Sequence, residues 1–155
     1  MSAPQIPDNI REQFRLAADA AKSDQCQKAG EHYTECLSLL ETVKDEQVST
    51  HIAVQAMLGS AECAAKLWKW DVVIKIAESL LNFVGEFPDA ELHYHYALAH
   101  LHLGRLAQCT EITAKALELF PGDKGLLGLK ERCEYHTERK RLEVTERVKL
   151  MSEGE

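Results

Sequence analysis

Apolar residues recur at three- and four-residue spacing along most of the chain, the pattern of helices that bury one face. Ile10, Phe14, Ala17, Ala18 and Ala21 predict a first helix over 9–21, opened by Pro7 and Asp8, a pair suited to a helix start. Pro4 and Pro7 form a short leader before it. After the polar break KSDQC, Ala29, Tyr33, Cys36, Leu37, Leu40 and Val43 predict a second helix over 26–43. KDEQVSTH (44–51) reads as a linker with some helical character. Val54, Met57, Leu58, Ala61, Ala64 and Ala65 place a third helix over 48–66, and Leu67–Asp71 turns the chain. Val73, Ile74, Ala77, Leu80, Leu81 and Val84 place a fourth over 71–84, stopped between Gly85 and Asp89 around Pro88.

Residues 90–123 make the pattern explicit: an amphipathic helix, a turn at Gly104-Arg105, a second amphipathic helix and a stop at Pro121-Gly122. Proline removes a backbone donor and pushes its neighbour out of the helical region, so the helix must end there. A seventh helix follows over about 123–150, capped by Asp123, with an apolar start at Leu126, Leu127, Leu129 and Cys133 and a highly charged continuation from His136. The three helix pairs align. Ala17, Ala61 and Ala97 share a position in the first helix of each pair. Ala29, Val73 and Cys109 share one early in the second, and Cys36, Leu80 and Ala116 one near its end. Mostly small residues at these places mean that paired helices approach closely. The spacing between units is about 44 and then about 36 residues, and the excess falls in the linkers, where insertions cost least. One all-α domain of three repeats is predicted, at about 9–43, 48–87 and 90–123, with a terminal helix.

Composition agrees. Aromatics make up 6% of the 155 residues, and Ala, Leu, Glu and Lys dominate, which favours helix over strand. The net charge of −7 argues against a nucleic-acid partner. That charge is uneven: residues 1–123 carry 10 basic and 18 acidic side chains, whereas residues 124–155 carry 8 and 7. The acidic body suits a ligand that is not strongly acidic. No apolar run is long enough to span a bilayer and no secretory signal opens the chain, so no membrane is expected and the cytoplasm is the expected compartment. The five cysteines, an odd number without a CxxC, are expected to be reduced thiols.

Few constellations suggest chemistry. His93, His95, His100 and His102 lie on one helix, but His93–His100 and His95–His102 are seven apart, where helical metal pairs need three or four. Packed or solvated imidazoles are expected; if His95 or His102 lines a ligand groove, binding would vary near pH 6–7. Cys36, Cys63 and Cys109 read as small core residues. Cys133 and His136 stand three apart without an orienting third group, which falls short of a nucleophile–base pair. Trp68 and Trp70 flank the second turn, and Trp68 reads as an exposed anchor or as a cover for a neighbouring loop. Arg139-Lys140-Arg141 lies among acids, with Glu138–Arg141 and Glu143–Arg147 as expected ion pairs of a solvated helix. Leu142, Val144, Val148, Leu150 and Met151 leave apolar spots on it for a partner helix. No enzyme, metal or cofactor is predicted.

The chain resembles tetratricopeptide-repeat (TPR) domains of the co-chaperone and immunophilin type, three repeats with a long seventh helix. The resemblance rests on GEHYTECLSLLE (30–41), KLWKWDVVIKIAESLL (66–81), ALAHLHLGRLAQCTEITAKALELFPGD (97–123) and LKERCEYHTERKRLEVTERVKLM (129–151). It implies a right-handed α-solenoid whose concave surface holds a segment of a partner protein, with a heat-shock chaperone or its client as candidates. It also implies that Trp70 is buried in place of a usual aromatic just after the turn and that Trp68 replaces a small residue. Many such proteins clamp the acidic tail of a chaperone with Lys and Asn on the first helix, Asn on the third, and Lys and Arg on the fifth. Here those positions read Phe14 and Ala18, Gly59, and Glu91 and His95, and Arg15 and Lys22 are the nearby cations of the first helix. Losing those donors and adding Glu91 disfavours a doubly charged carboxylate. The resemblance places Phe14, Leu58, Tyr94, Leu98 and Leu101 on the concave surface, with Gln55, Glu62, Glu91 and His102 around them. An apolar groove with a polar rim is one reading; packing of several of these residues against the seventh helix is the other. The expected function is a non-catalytic co-chaperone-like adaptor. An orthodox chaperone-tail binder and a scaffold subunit using the convex face or seventh helix are the rivals.

Overall fold

The computed structural model describes residues 6–85 and 89–154. Those residues form seven α-helices: α1 (Asp8–Lys22), α2 (Cys26–Leu40), α3 (Glu46–Lys66), α4 (Trp70–Val84), α5 (Ala90–His102), α6 (Leu106–Leu119) and α7 (Lys124–Glu153). Pro4 and Pro88, read as part of a leader and of a helix stop, lie outside the described residues. The helices group into two compact units, Met1–Pro88 and Asp89–Glu155. In the first, α2 packs on α1 and α3, and α4 on α3; in the second, α5, α6 and α7 pack on one another.

The nine aligned positions explain the pairing. Ala17, Ala61, Ala97, Ala29, Val73, Cys109, Cys36, Leu80 and Ala116 are each 0% exposed. Where backbones approach this closely, a larger side chain would force the helices apart. The turns repeat equally closely. Asp24, Trp68 and Gly104 occupy the same place in the three helix pairs, and all have positive φ, at 57°, 60° and 77°. In each, the next residue closes the turn: Gln25 N to Ala20 O at 2.8 Å, Lys69 N to Ala64 O at 2.9 Å and Arg105 N to His100 O at 2.8 Å. This geometry suits glycine, which only the third turn has. Tryptophan in the second carries about 1–2 kcal/mol of backbone strain.

Three helix ends differ from the sequence reading. α2 stops at Leu40, because bonds from Glu41 N to Ser38 O at 3.3 Å and Val43 N to Leu40 O at 3.0 Å tighten its last turn. Val43 still packs on the cluster of Ile10, Leu40 and Ile52. α3 starts at Glu46 because the Asp45 carboxylate accepts from Gln47 N at 3.0 Å and Val48 N at 3.2 Å, a cap that lies inside the presumed linker. α7 is capped as expected, Asp123 accepting from Leu126 N at 2.9 Å, but runs on to Glu153.

Candidate functional site

A cleft of about 480 Å³ opens in the first unit between α1 and α3. Ile6, Ile10 and Phe14 form one wall, Ile52 and Gln55 the other, with Arg11 and His51 also lining it. Phe14 reaches it because of a chain of contacts. Its ring meets the Tyr33 ring edge-on, with centroids 5.8 Å apart. Tyr33 is buried and lies over Gly59 of α3, so closely that a β-carbon there would collide with the hydroxyl end of the tyrosine ring. Burial pushes the Tyr33 hydroxyl pKa up, with Cys63, Glu62 and Cys36 adding to it. Packing explains the glycine at position 59: the space that any larger side chain would need there belongs to Tyr33.

The other residues that the sequence singled out on this unit disperse. Leu58 is half-buried. Arg15 is held along α1, donating to Asp19 at 2.9 Å and to Glu12 at 3.1 Å. Lys22 sits exposed in the last turn of α1, and Glu62 lies 3.7 Å from Lys66 along α3. The cation that does line the cleft is Arg11, which donates to Ile6 O at 3.3 Å and lies 4.0 Å from Asp8. Sequence reasoning passed over it, although its place three residues before Phe14 puts both on one helix face.

On the second unit, Tyr94, Leu98 and Leu101 of α5 are partly buried and pack on a buried cluster of Ala97, Cys109, Leu129 and Cys133, which joins α5, α6 and α7. The Tyr94 ring lies against Gly125 at the start of α7. Glu91 is exposed, and its Oε1 is 3.4 Å from His95 Nε2 without hydrogen-bond alignment. His102 is exposed; partial desolvation lowers its pKa, and the nearby Arg132 cation lowers it further. Three of the four histidines of α5 sit beside aromatic rings: His93 by Phe120, His95 by Tyr94 and His100 by Tyr96, with centroids 5.8, 5.7 and 5.0 Å apart.

Among the described residues no group of three or more potential ligands could hold a metal. Cys133 turns inward to Cys109, with the sulfurs 3.1 Å apart, while His136 is exposed beside Tyr135, so the two do not form a nucleophile–base pair. All five cysteines are buried free thiols. Burial pushes the Cys63 thiol up to about 11, and burial with the hydrogen bond to Cys133 raises Cys109 strongly. Trp68 is 70% exposed and meets half-buried Trp70 edge-on at 5.9 Å, so the expected burial of Trp70 is partial. Glu138 and Arg141 form their ion pair at 2.7 Å, but Glu143 and Arg147 do not come within ion-pair distance.

No family model matches the chain, and no curated protein matches its sequence. Solved structures do match in fold. The Hsp90 co-chaperone Cns1 of Saccharomyces cerevisiae superposes with a TM-score of 0.79 at 14% identity, over 94% of this chain and 45% of that one. The chain thus spans less than half the length of Cns1. The myosin chaperone UNC-45 from C. elegans, solved with a Hsp90 peptide, gives 0.73 at 23% identity over 88% of this chain and 14% of that one. The second TPR domain of human RPAP3, solved with the HSP70 peptide SGPTIEEVD, gives 0.63 at 16% over 81% and 98%. Among the described residues no helix is long and apolar enough to cross a membrane. Helix pairs built on recurring small residues and closed by a repeated left-handed turn, in a fold that superposes on these structures, give this chain the tetratricopeptide-repeat fold.

Proposed function

We propose that this chain is a non-catalytic adaptor that holds a segment of another protein in the cleft between α1 and α3, working in the cytoplasm beside chaperones or their clients. The observation that carries the reading is the cleft itself, with walls of Ile6, Ile10, Phe14 and Ile52 and the polar groups of Arg11, His51 and Gln55. Such a surface suits an apolar side chain flanked by backbone that can hydrogen bond at the rim. Phe14, Ala18 and Gly59 offer no side-chain donor at the clamp positions of α1 and α3. Glu91, at a clamp position of α5, adds a negative charge. Solved TPR structures with Hsp90 and HSP70 peptides support the protein-binding part of the proposal. These residues favour the reading over an orthodox acidic-tail binder.

Fluorescence polarisation with SGPTIEEVD, as free acid and as C-terminal amide, tests this directly. Weak binding indifferent to amidation is expected. Peptides selected by phage display should be apolar at their centre and should lose affinity on Arg11→Glu, with far-UV circular dichroism unchanged. Tight binding that requires the free carboxylate would make the chain an orthodox tail binder instead.

A further inference from the structure

α7 is one continuous helix of 30 residues, Lys124–Glu153. Only its first part is covered. Leu126, Leu129 and Cys133 are buried where the helix meets α5 and α6, and every residue from Glu134 to Gly154 is exposed. Successive residues advance about 100° around a helix axis, so the direction of each side chain follows from its number. The stripe that packs at Leu126, Leu129 and Cys133 continues beyond them through Val144, Val148 and Met151. These three are 58%, 61% and 75% exposed.

The charges sort on the same geometry. Lys140, Arg141 and Arg147 fall with the apolar three in an arc of roughly 120°. Glu138, Glu143, Glu146 and Glu153 all fall outside it. From His136 to Gly154, among the described residues, the arc contains no carboxylate. Lys140 and Arg147 make no ion pair among the described residues. Among the described residues Arg141 is paired with exposed Glu138 alone, a bond that contributes little and is readily exchanged. The distal half of α7 therefore presents an apolar stripe edged only by cations, on a chain whose remainder is acidic.

We infer that this face docks an acidic amphipathic helix of another protein. Carboxylates flanking an apolar stripe would meet Lys140, Arg141 and Arg147 while their apolar residues cover Val144, Val148 and Met151, the geometry of paired helices. A second copy of this chain presents the same cations, and two such faces repel. A lipid surface is the weaker fit, because the arc has no aromatic or leucine anchor and the far side of the helix bears four carboxylates. The inference does not depend on the α1–α3 cleft.

The test uses the full chain and a synthetic acidic helix with Leu at heptad a and d and Glu on both flanks. Anisotropy should show binding at about 0.02 M salt that weakens at about 0.3 M. The triple variant K140E/R141E/R147E should lose about tenfold or more in affinity. Val144→Ser with Val148→Ser should lose a comparable factor. Both variants should keep the wild-type melting temperature, since the altered residues are exposed, and Arg11→Glu should leave this binding unchanged. The inference is overturned by failure of the acidic helix to bind wild type, by equal binding of a Lys-flanked control, or by an unaffected triple variant. Binding to phosphatidylserine vesicles that the acidic helix cannot displace would overturn it in favour of a membrane. A dimer that the triple variant dissolves would do so in favour of self-association.

Discussion

Gly59 couples the core of the first unit to the cleft, and replacing it with alanine tests the coupling. Within a helix, Gly→Ala ordinarily stabilises by about 1 kcal/mol through backbone entropy. At position 59 the new methyl group would fall on Tyr33, at 2.7 Å from Cε2 and from the hydroxyl oxygen and closer still to Cζ. Tyr33 is 6% exposed and braced by Phe14, so it cannot swing into solvent without opening the core. Overpacking of this kind costs about 1–3 kcal/mol. The net effect of Gly59→Ala is then a loss of between about zero and 2 kcal/mol. In a Tyr33→Leu background the colliding atoms are gone, and the same substitution should stabilise by about 1 kcal/mol. The coupling energy from the four urea titrations should therefore be about 1–3 kcal/mol. Stabilisation by about 1 kcal/mol in both backgrounds would refute the reasoning, because Tyr33 would then not fill the space above Gly59. Because Phe14 leans on Tyr33, Gly59→Ala should also weaken any ligand of the cleft.

Strain at Trp68 should show as an inverted substitution order. Trp68→Gly should be more stable than Trp68→Ala by about 1 kcal/mol in thermal melts, whereas at a right-handed helical site alanine would win. The thiols should be inert in the native state: at pH 8 a disulfide reagent such as Ellman's should label none of the five buried cysteines quickly and all five in denaturant, and rapid native labelling of Cys63 would contradict its burial. His102 predicts an acid-side loss of stability. Its folded pKa is lowered, by desolvation first and Arg132 second, so the unfolded chain takes up that proton more readily. The His102 contribution should be constant above about pH 6.5 and fall as the pH drops through the folded value. Arg132→Gln should move the His102 NMR titration upward, and an unmoved titration would remove Arg132 as a cause.

Periodicity alone was enough for the helices of this chain, because a helix that buries one face must repeat its apolar residues every three or four positions. The close-approach positions were legible for the same reason: nine aligned residues from Ala17 to Ala116 are all fully buried, as mostly small side chains at a repeated spacing imply. Turns were partly legible. Gly104 announced itself, whereas Asp24 and Trp68 adopt the same left-handed backbone under residue types that do not advertise it. Asp45 was hidden too, since a cap and a polar linker use the same residue types.

Contacts distant in sequence were beyond reach of any local pattern. That Gly59 makes room for a tyrosine 26 residues earlier, that Arg11 lines the cleft while Arg15 is held along its own helix, and that Tyr94, Leu98 and Leu101 pack in part on the cluster joining α5, α6 and α7 are outcomes of how faces meet. An apolar helical position reads the same whether a groove, a core or a partner will cover it. Only packing decides among these. For α7, it covers the stripe as far as Cys133 and leaves Val144, Val148 and Met151 bare.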